Sequence, residues 1–142
     1  MTIARLIEGR TAPVISCQIS TPVRDAVALL AEKRIGAVPV LDGKDIAGIF
    51  SERDVIYQLD GHGPSMLDRV VGQVMTAPAI SVELDTGILD ALGLMTRRRI
   101  RHLPVVHAGR MVSFISIGDL VKYRIDHIQS EAEALRSYIQ MA

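Results

Sequence analysis

Two short segments carry side chains whose types and spacing suit a hydroxylated, anionic ligand. Ser51 and Asp54 stand three residues apart directly after an apolar run, and Ser116 and Asp119 repeat this arrangement 65 residues later. A carboxylate can accept two hydrogen bonds from a vicinal diol such as that of a ribose. A helix that opens at each serine presents unpaired backbone N–H groups to an anion, and Arg53 is suited to meet a phosphate.

The same spacing also has a structural use. Ser-x-x-Asp is close to a capping box, with Asp in place of the usual Glu or Gln, and would be kept for helix stability alone. Both copies retain Ser and Asp, although the residues between them change from Glu-Arg to Ile-Gly. We therefore predict that the motif both caps a helix and lines a cleft.

A second difference between the copies precedes their Pro-Val segments. The first copy has Ile35-Gly36-Ala37, where the second has Ile100-Arg101-His102. Arg101 and His102 are suited to phosphate, whereas Gly36 would leave room for a flat base against the backbone. An exposed arginine is more often simply solvated, so this pair alone is weak support for a site.

These candidates lie on a duplicated unit that predicts an α/β (α+β) fold. With an offset of 65, twelve of the forty-two aligned pairs between residues 14–55 and the second copy are identical. Each copy predicts strand, helix, strand, turn, strand and helix, with Thr21 as N-cap of a helix that Gly36 ends. A unit of this size cannot bury its sheet alone, so we expect the two copies to pack through their sheets around one shared core.

The repeat suggests three segments. These are residues 1–65, the first repeat with a short helical lead-in; 66–123, the second repeat, opened by a helical counterpart over 66–75; and 124–142, a helical extension. The last helix, over about 118–140, carries apolar residues at heptad spacing, which favours a homodimer contact over a helix that lies along its own domain.

Composition excludes several classes of function. Sixteen basic residues balance sixteen acidic ones, so charge does not indicate nucleic acid binding. We expect no membrane span or signal peptide, and hence a cytoplasmic protein in which the single Cys17 is buried. The four histidines show no metal-ligand spacing, and phosphate-loop and nucleophile motifs are absent, so we predict neither a metal site nor an enzyme.

The repeat and its motifs resemble a tandem cystathionine-β-synthase (CBS) domain pair, or Bateman module. The resemblance covers about residues 10–123 and rests on Val38-Pro39-Val40, Leu103-Pro104-Val105, Thr21-Pro22 and the two Ser-x-x-Asp motifs. The tail is similar to that of small stand-alone bacterial members. The resemblance implies a regulatory module that binds AMP, ADP, ATP or NAD(H), or less favourably S-adenosylmethionine, in clefts between the copies, without a catalytic cofactor.

The resemblance also implies roles for individual residues. The motif aspartate holds the ribose diol, with the motif serine near ribose or phosphate. The Asp119 cleft, with Ser116, would take base contacts from Ile15, Ile35 and Gly36 and phosphate contacts from Arg101 and His102. The Asp54 cleft, with Ser51, would use Ile80, Ile100, Arg101 and Arg53.

Two departures from the family pattern predict unequal clefts. Ser113 replaces the glycine that Gly48 supplies, and Gly36 leaves the first copy without a basic residue before its Pro-Val strand. We expect ligand to shift the relative orientation of the copies and so regulate a protein partner whose identity is unknown. The alternatives are a dimeric scaffold with vestigial clefts and, less favoured, a fragment related to inosine monophosphate dehydrogenase.

Overall fold

The computed structural model describes residues 1–141 and contains two copies of one supersecondary unit. The first copy comprises β1 (Cys17–Gln18), α2 (Val23–Lys33), β2 (Ala37–Asp42), β3 (Asp45–Ser51) and α3 (Glu52–His62), after a short helix α1 (Ile3–Ile7). The second comprises β4 (Val82–Glu83), α4 (Ile88–Arg98), β5 (His102–His107), β6 (Arg110–Ser116) and α5 (Ile117–Met141). The predicted α/β duplication is confirmed.

Each copy forms a three-stranded sheet in which the second strand is central. β1 runs parallel to β2, and β3 returns antiparallel to it, with Val40 opposite Gly48. The second sheet repeats this register, with Val105 opposite Ser113. β3 contacts β6, so the sheets meet at the strands that lead into the Ser-x-x-Asp motifs.

The ends of α2 differ from the sequence prediction. Thr21 does not cap the helix: its Oγ1 accepts a 3.0 Å hydrogen bond from the Gln18 backbone N–H, in the turn that joins β1 to α2. The helix ends at Lys33 because Arg34 adopts a left-handed conformation with φ 54°, so Gly36 is not the terminating residue. Arg99 ends α4 with the same φ, and Thr86 repeats the Thr21 contact.

The expected shared core is wrong, because the buried apolar residues form two clusters, one over each sheet. The segment that precedes each repeat packs into the cluster of the other repeat. Ile3 of α1 is fully buried in the second cluster, whereas Met66, Val71 and Val74 complete the first. Residues 66–75 contribute through two 3-10 helices, Gly63–Asp68 and Val71–Gln73, rather than the predicted α-helix. Each repeat thus buries its sheet with help from a segment that precedes the other.

The predicted long C-terminal helix is confirmed. α5 spans 25 residues, which is about 37 Å at 1.5 Å per residue. Its first turn packs on the second core through the fully buried Leu120, but its later apolar side chains are exposed, including Leu135 at 60% and Ile139 at 64%. Within residues 1–141 there is no helix of the length and apolar character needed to cross a membrane.

Candidate functional site: two clefts between the repeats

The motif carboxylate of the first copy is held by its own helix start. Asp54 lies in the first turn of α3, and its Oδ2 accepts hydrogen bonds from the Ser51 backbone N–H at 2.8 Å and from Ser51 Oγ at 3.2 Å. Asp119 Oδ2 accepts from the Ser116 N–H at 2.9 Å, and the Asp119 N–H donates to Ser116 Oγ at 3.1 Å. The helix-capping role predicted for both motifs is therefore present.

Thr76, a residue that we did not predict, completes the surroundings of Asp54. Its Oγ1 donates a 2.8 Å hydrogen bond to Asp54 Oδ1, and its backbone pairs with Ile49 on β3 through two 2.9 Å bonds. Asp54 is buried, at 9% exposure. A carboxylate offers about four acceptor positions, so these three hydrogen bonds leave little spare capacity unless the Thr76 hydroxyl turns away.

Gly48 permits this close approach of Thr76 to β3. A Cβ placed on Gly48 would lie 2.6 Å from the Thr76 carbonyl oxygen and 2.8 Å from Met75 Sδ. Both distances are shorter than van der Waals contact, so any side chain here would displace the Met75-Thr76 segment. The glycine therefore serves the site through close backbone packing rather than through an unusual φ angle.

The first cleft opens in front of Asp54 and is walled by both repeats. Its cavity of about 360 Å³ is lined by Ser51, Asp54 and Tyr57 from the first copy and by Ile80 and Ile100 from the second. Four arginines also line it, which makes this cleft suitable for phosphate: Arg53, Arg98, Arg99 and Arg101. Arg53 is held across the two copies, because its Nη1 donates a 2.8 Å bond to the Arg99 carbonyl.

The second cleft has a different polar composition. Its cavity of about 510 Å³ is lined by Ile15, Ile35, Ser116 and Asp119, together with the segment 10–14. Arg10 Nη2 lies 3.3 Å from Asp119 Oδ2, and both side chains are 37% exposed. The motif carboxylate of the second cleft, Asp119, thus contacts the Arg10 guanidinium. The motif carboxylate of the first cleft, Asp54, instead contacts the Thr76 hydroxyl.

His102 lies between the clefts and lines both. Its ring stacks on Phe114 at 5.5 Å between centroids, with 9° between the planes. Burial lowers the pKa of His102 from its usual 6.5, and the Arg101 charge acts in the same direction, whereas Asp119 and Glu52 partly oppose both. A neutral imidazole can donate one hydrogen bond and accept another at this junction.

The structure brings most of the predicted site residues together, but one of them lies in the other cleft. Gly36, which was assigned to the Asp119 cleft, lines the Asp54 cleft instead, beside the predicted Ser51, Arg53, Ile80 and Ile100. Arg101, which was assigned to both clefts, lines the Asp54 cleft and not the Asp119 cleft. Gly36 lies there because β2 begins beside the motif of its own copy, with Ala37 opposite Ser51. Ala37 and His102 line both cavities.

Thr76, Met75 and Arg10, which we did not predict as site residues, lie in a part of the repeat that the sequence alignment could have included. Thr76-Ala77-Pro78 matches Thr11-Ala12-Pro13 at the same 65-residue offset, so the repeat begins earlier than we placed it. Extending the alignment would have marked Thr76 and the preceding pair, Met75 and Arg10. Within residues 1–141, the structure shows no cluster of three or more His, Cys, Asp or Glu side chains placed to hold a metal ion.

The fold and the paired clefts define a tandem-repeat α/β protein with candidate ligand sites between its repeats, and comparison with known proteins identifies its family. The CBS domain model matches residues 7–61 and 71–126. The chain belongs to the CBS domain family, as the resemblance of its motifs indicated.

Individual relatives agree with this family. A putative signal-transduction protein with CBS domains from Burkholderia ambifaria superposes with a TM-score of 0.82 at 38% identity, over 89% of this chain and 95% of that one. The mitochondrial CBS domain-containing protein CBSX3 of Arabidopsis thaliana is 35% identical over 87% of this chain, which spans only 63% of that relative's length. The structure of CBSX2 in complex with AMP is 28% identical, with a TM-score of 0.74, over 88% of this chain and 96% of that one.

Proposed function

We propose that the chain is a regulatory module that binds an adenosine-containing nucleotide in the Asp54 cleft. The observation that carries the proposal is the combination of a buried carboxylate and four arginines around one cavity of about 360 Å³. The volume lies within the range of small-molecule sites. The carboxylate suits the ribose diol and the arginines suit the phosphate, while Ile80 and Ile100 supply apolar surface for the base.

The charge of the first cleft narrows the choice of ligand. Four guanidinium groups favour a phosphorylated ligand, so AMP, ADP, ATP and NAD(H) are the candidates. A cationic sulfonium ligand such as S-adenosylmethionine is disfavoured by the same charges. The AMP complex of CBSX2 supports an adenine nucleotide as the ligand class.

The mechanism that we propose is a population shift rather than a reaction. Both repeats wall the first cleft, and Arg53 already joins α3 to the end of α4. A nucleotide that engages Asp54 on one side and Arg101 on the other would favour one relative orientation of the repeats. The surface offered to a protein partner would change with it. No catalytic role is proposed, and a cytoplasmic location stays a prediction.

A titration series tests the proposed ligand. We expect isothermal titration calorimetry to detect AMP, ADP, ATP or NADH, with S-adenosylmethionine binding more weakly. A micromolar dissociation constant would correspond to about −8 kcal/mol. If none of these nucleotides produces heat or shifts the melting temperature, the adenosine assignment is wrong and a ligand-free scaffold is the better description.

We further propose that α5 joins two copies of the chain. Its apolar positions follow a heptad seam over its whole length: Val121, Ile125, Ile128, Ala132, Leu135 and Ile139. Five of these residues are 42% to 64% exposed, so the seam is an apolar surface that a second copy of the helix could bury. With Ile125 and Ile139 at a positions, Glu131 falls at g and Arg136 at e. A parallel pair would therefore place Glu131 of each copy opposite Arg136 of the other.

A further inference from the structure

The second cleft differs from the first at one pair of equivalent positions. Position 75 in the first cleft corresponds to position 10 in the second, and position 48 corresponds to 113. Beside the first cleft the pair is Met75 against Gly48, with the Met75 sulfur 2.8 Å from where a Cβ added to Gly48 would stand. In the second it is Arg10 against Ser113, joined by a 3.5 Å contact from Arg10 Nη1 to Ser113 Oγ.

The difference between these two residue pairs changes which side chain contacts the motif carboxylate. Because Gly48 has no side chain, the Thr76 backbone pairs with β3 and its hydroxyl reaches Asp54. Ser113 is buried and adds a side chain at the matching place, and Thr11, the counterpart of Thr76, is exposed. The Asp119 carboxylate is met instead by the Arg10 guanidinium at 3.3 Å.

The two contacts differ in how readily a ligand replaces them. The Thr76 hydroxyl rotates about one bond, and a ribose hydroxyl can replace it as a hydrogen-bond donor of the same kind to the carboxylate. The Arg10 guanidinium forms an ion pair with the carboxylate, and a neutral ribose hydroxyl that takes its place does not restore the lost attraction between opposite charges. A ribose diol that binds Asp119 has to displace this pair, whereas a diol that binds Asp54 has only to turn the Thr76 hydroxyl.

We infer that Arg10 is a specificity-determining residue of the second cleft: it occupies Asp119 in competition with the ribose and makes this cleft the weaker adenosine site. The inference rests on the proposed function, since it assigns the ribose of an adenosine ligand to the motif carboxylates. It goes further by naming the side chain that makes the clefts unequal. Arg10 lies in the exposed segment before β1, outside the Ser-x-x-Asp motif itself.

Calorimetric titration of AMP into matched variants tests the inference. We expect the wild-type chain to show one tighter and one weaker event. Arg10→Ala should tighten the weaker event by up to about fivefold, since a partly exposed ion pair contributes at most about 1 kcal/mol. The tighter event should not change. The gain should vanish in Arg10→Ala/Asp119→Ala. Arg5→Ala is the control, because Arg5 lies in the nearby helix α1, and within residues 1–141 its ion pair is with Glu8 at 3.7 Å.

A second variant keeps the test informative if Arg10→Ala does not fold. Arg10→Met/Ser113→Gly rebuilds in the second cleft the pair that the first cleft already tolerates, and it should also tighten the weaker event. If neither variant alters that event while the tighter event persists, Arg10 is not the determinant and the proposed function stands. If no variant binds AMP at all, the proposed function is wrong and the inference falls with it.

Discussion

Thr76 Oγ1 donates a 2.8 Å hydrogen bond to Asp54 Oδ1, and so ties the segment between the repeats to the motif carboxylate of the first. The backbone of Thr76 pairs with Ile49 on the strand that leads into the motif. Cleft and connection are therefore one structural unit. A ligand that displaces the Thr76 hydroxyl from Asp54 acts directly on the segment that leads into the second repeat.

Asp54→Ala should weaken nucleotide binding to the first cleft by roughly ten- to a hundredfold, because a hydrogen bond to a charged group contributes ~1.5–3 kcal/mol. It should also lower the melting temperature, since the Ser51 N–H loses its partner. Calorimetry and a thermal melt measure the two effects separately. Asp60→Ala, an exposed position on the same helix, is the control and should leave both unchanged. Unaltered binding in Asp54→Ala would remove this residue from the site.

Gly48→Ala should destabilise the fold, because the added Cβ would stand 2.6 Å from the Thr76 carbonyl oxygen. Overpacking of this kind costs about 1–3 kcal/mol, which is a fall in melting temperature of roughly 3–10 °C for a chain of this size. Gly61→Ala is the matched control. Gly61 lies inside α3 with open space around its Cα, so alanine should be neutral or stabilising. Equal melting temperatures for the two variants would contradict the close approach.

His102 should make stability depend on pH. Burial lowers its pKa from 6.5 in the folded chain, so the unfolded chain binds the proton more readily. Its contribution is fully present above pH 6.5 and is lost as the pH falls from there through the folded pKa. We expect melting temperatures to fall more steeply below pH 6.5 in the wild-type chain than in His102→Gln or His102→Phe. Parallel curves for all three would show that His102 does not titrate in this way.

Leu135→Arg should reduce the mass of the proposed α5-mediated dimer to that of a monomer in size-exclusion chromatography with light scattering. Leu135 lies on the heptad seam of α5 and is 60% exposed in the single chain. A charge buried at this position would be unpaired, which is strongly unfavourable. Ala134→Arg adds the same charge one residue away, off the seam, and should leave the mass unchanged. A dimer that survives Leu135→Arg would have to form through another surface.

Cys17 should be unreactive in the folded chain. The thiol is buried, with 8% exposure, and burial raises its pKa to about 11. Thiolate is the reactive form, so labelling by a disulfide reagent at pH 8 should proceed only as fast as the chain opens. Adding denaturant should release the full reaction. Rapid labelling of the native protein would contradict the buried position.

Local patterns in the sequence were sufficient for the order of the elements. The offset repeat, the apolar runs and the Ser-x-x-Asp motifs predicted both copies, the order of strands and helices along the chain, and the long last helix. The Pro-Val segments and the motifs were specific enough to indicate the CBS family. Thr21 and Gly36 were misassigned because turn and helix ends depend on backbone conformation: Arg34, not a glycine, adopts the left-handed conformation.

Several features of the fold and of the clefts depend on tertiary packing and could not be predicted from the repeat. The exchange of Ile3 and Met66 between the two cores depends on how the segments cross, and a crossing leaves no trace in residue spacing. The placement of Gly36 in the Asp54 cleft follows from the start of β2 opposite Ser51. Thr76 contacts Asp54, and Arg10 contacts Asp119. The partners are 22 and 109 residues apart in the chain, so only the packing of the fold brings them together. The sequence thus determined the two carboxylates and predicted that their clefts differ, and the tertiary contacts decided which side chain meets each carboxylate.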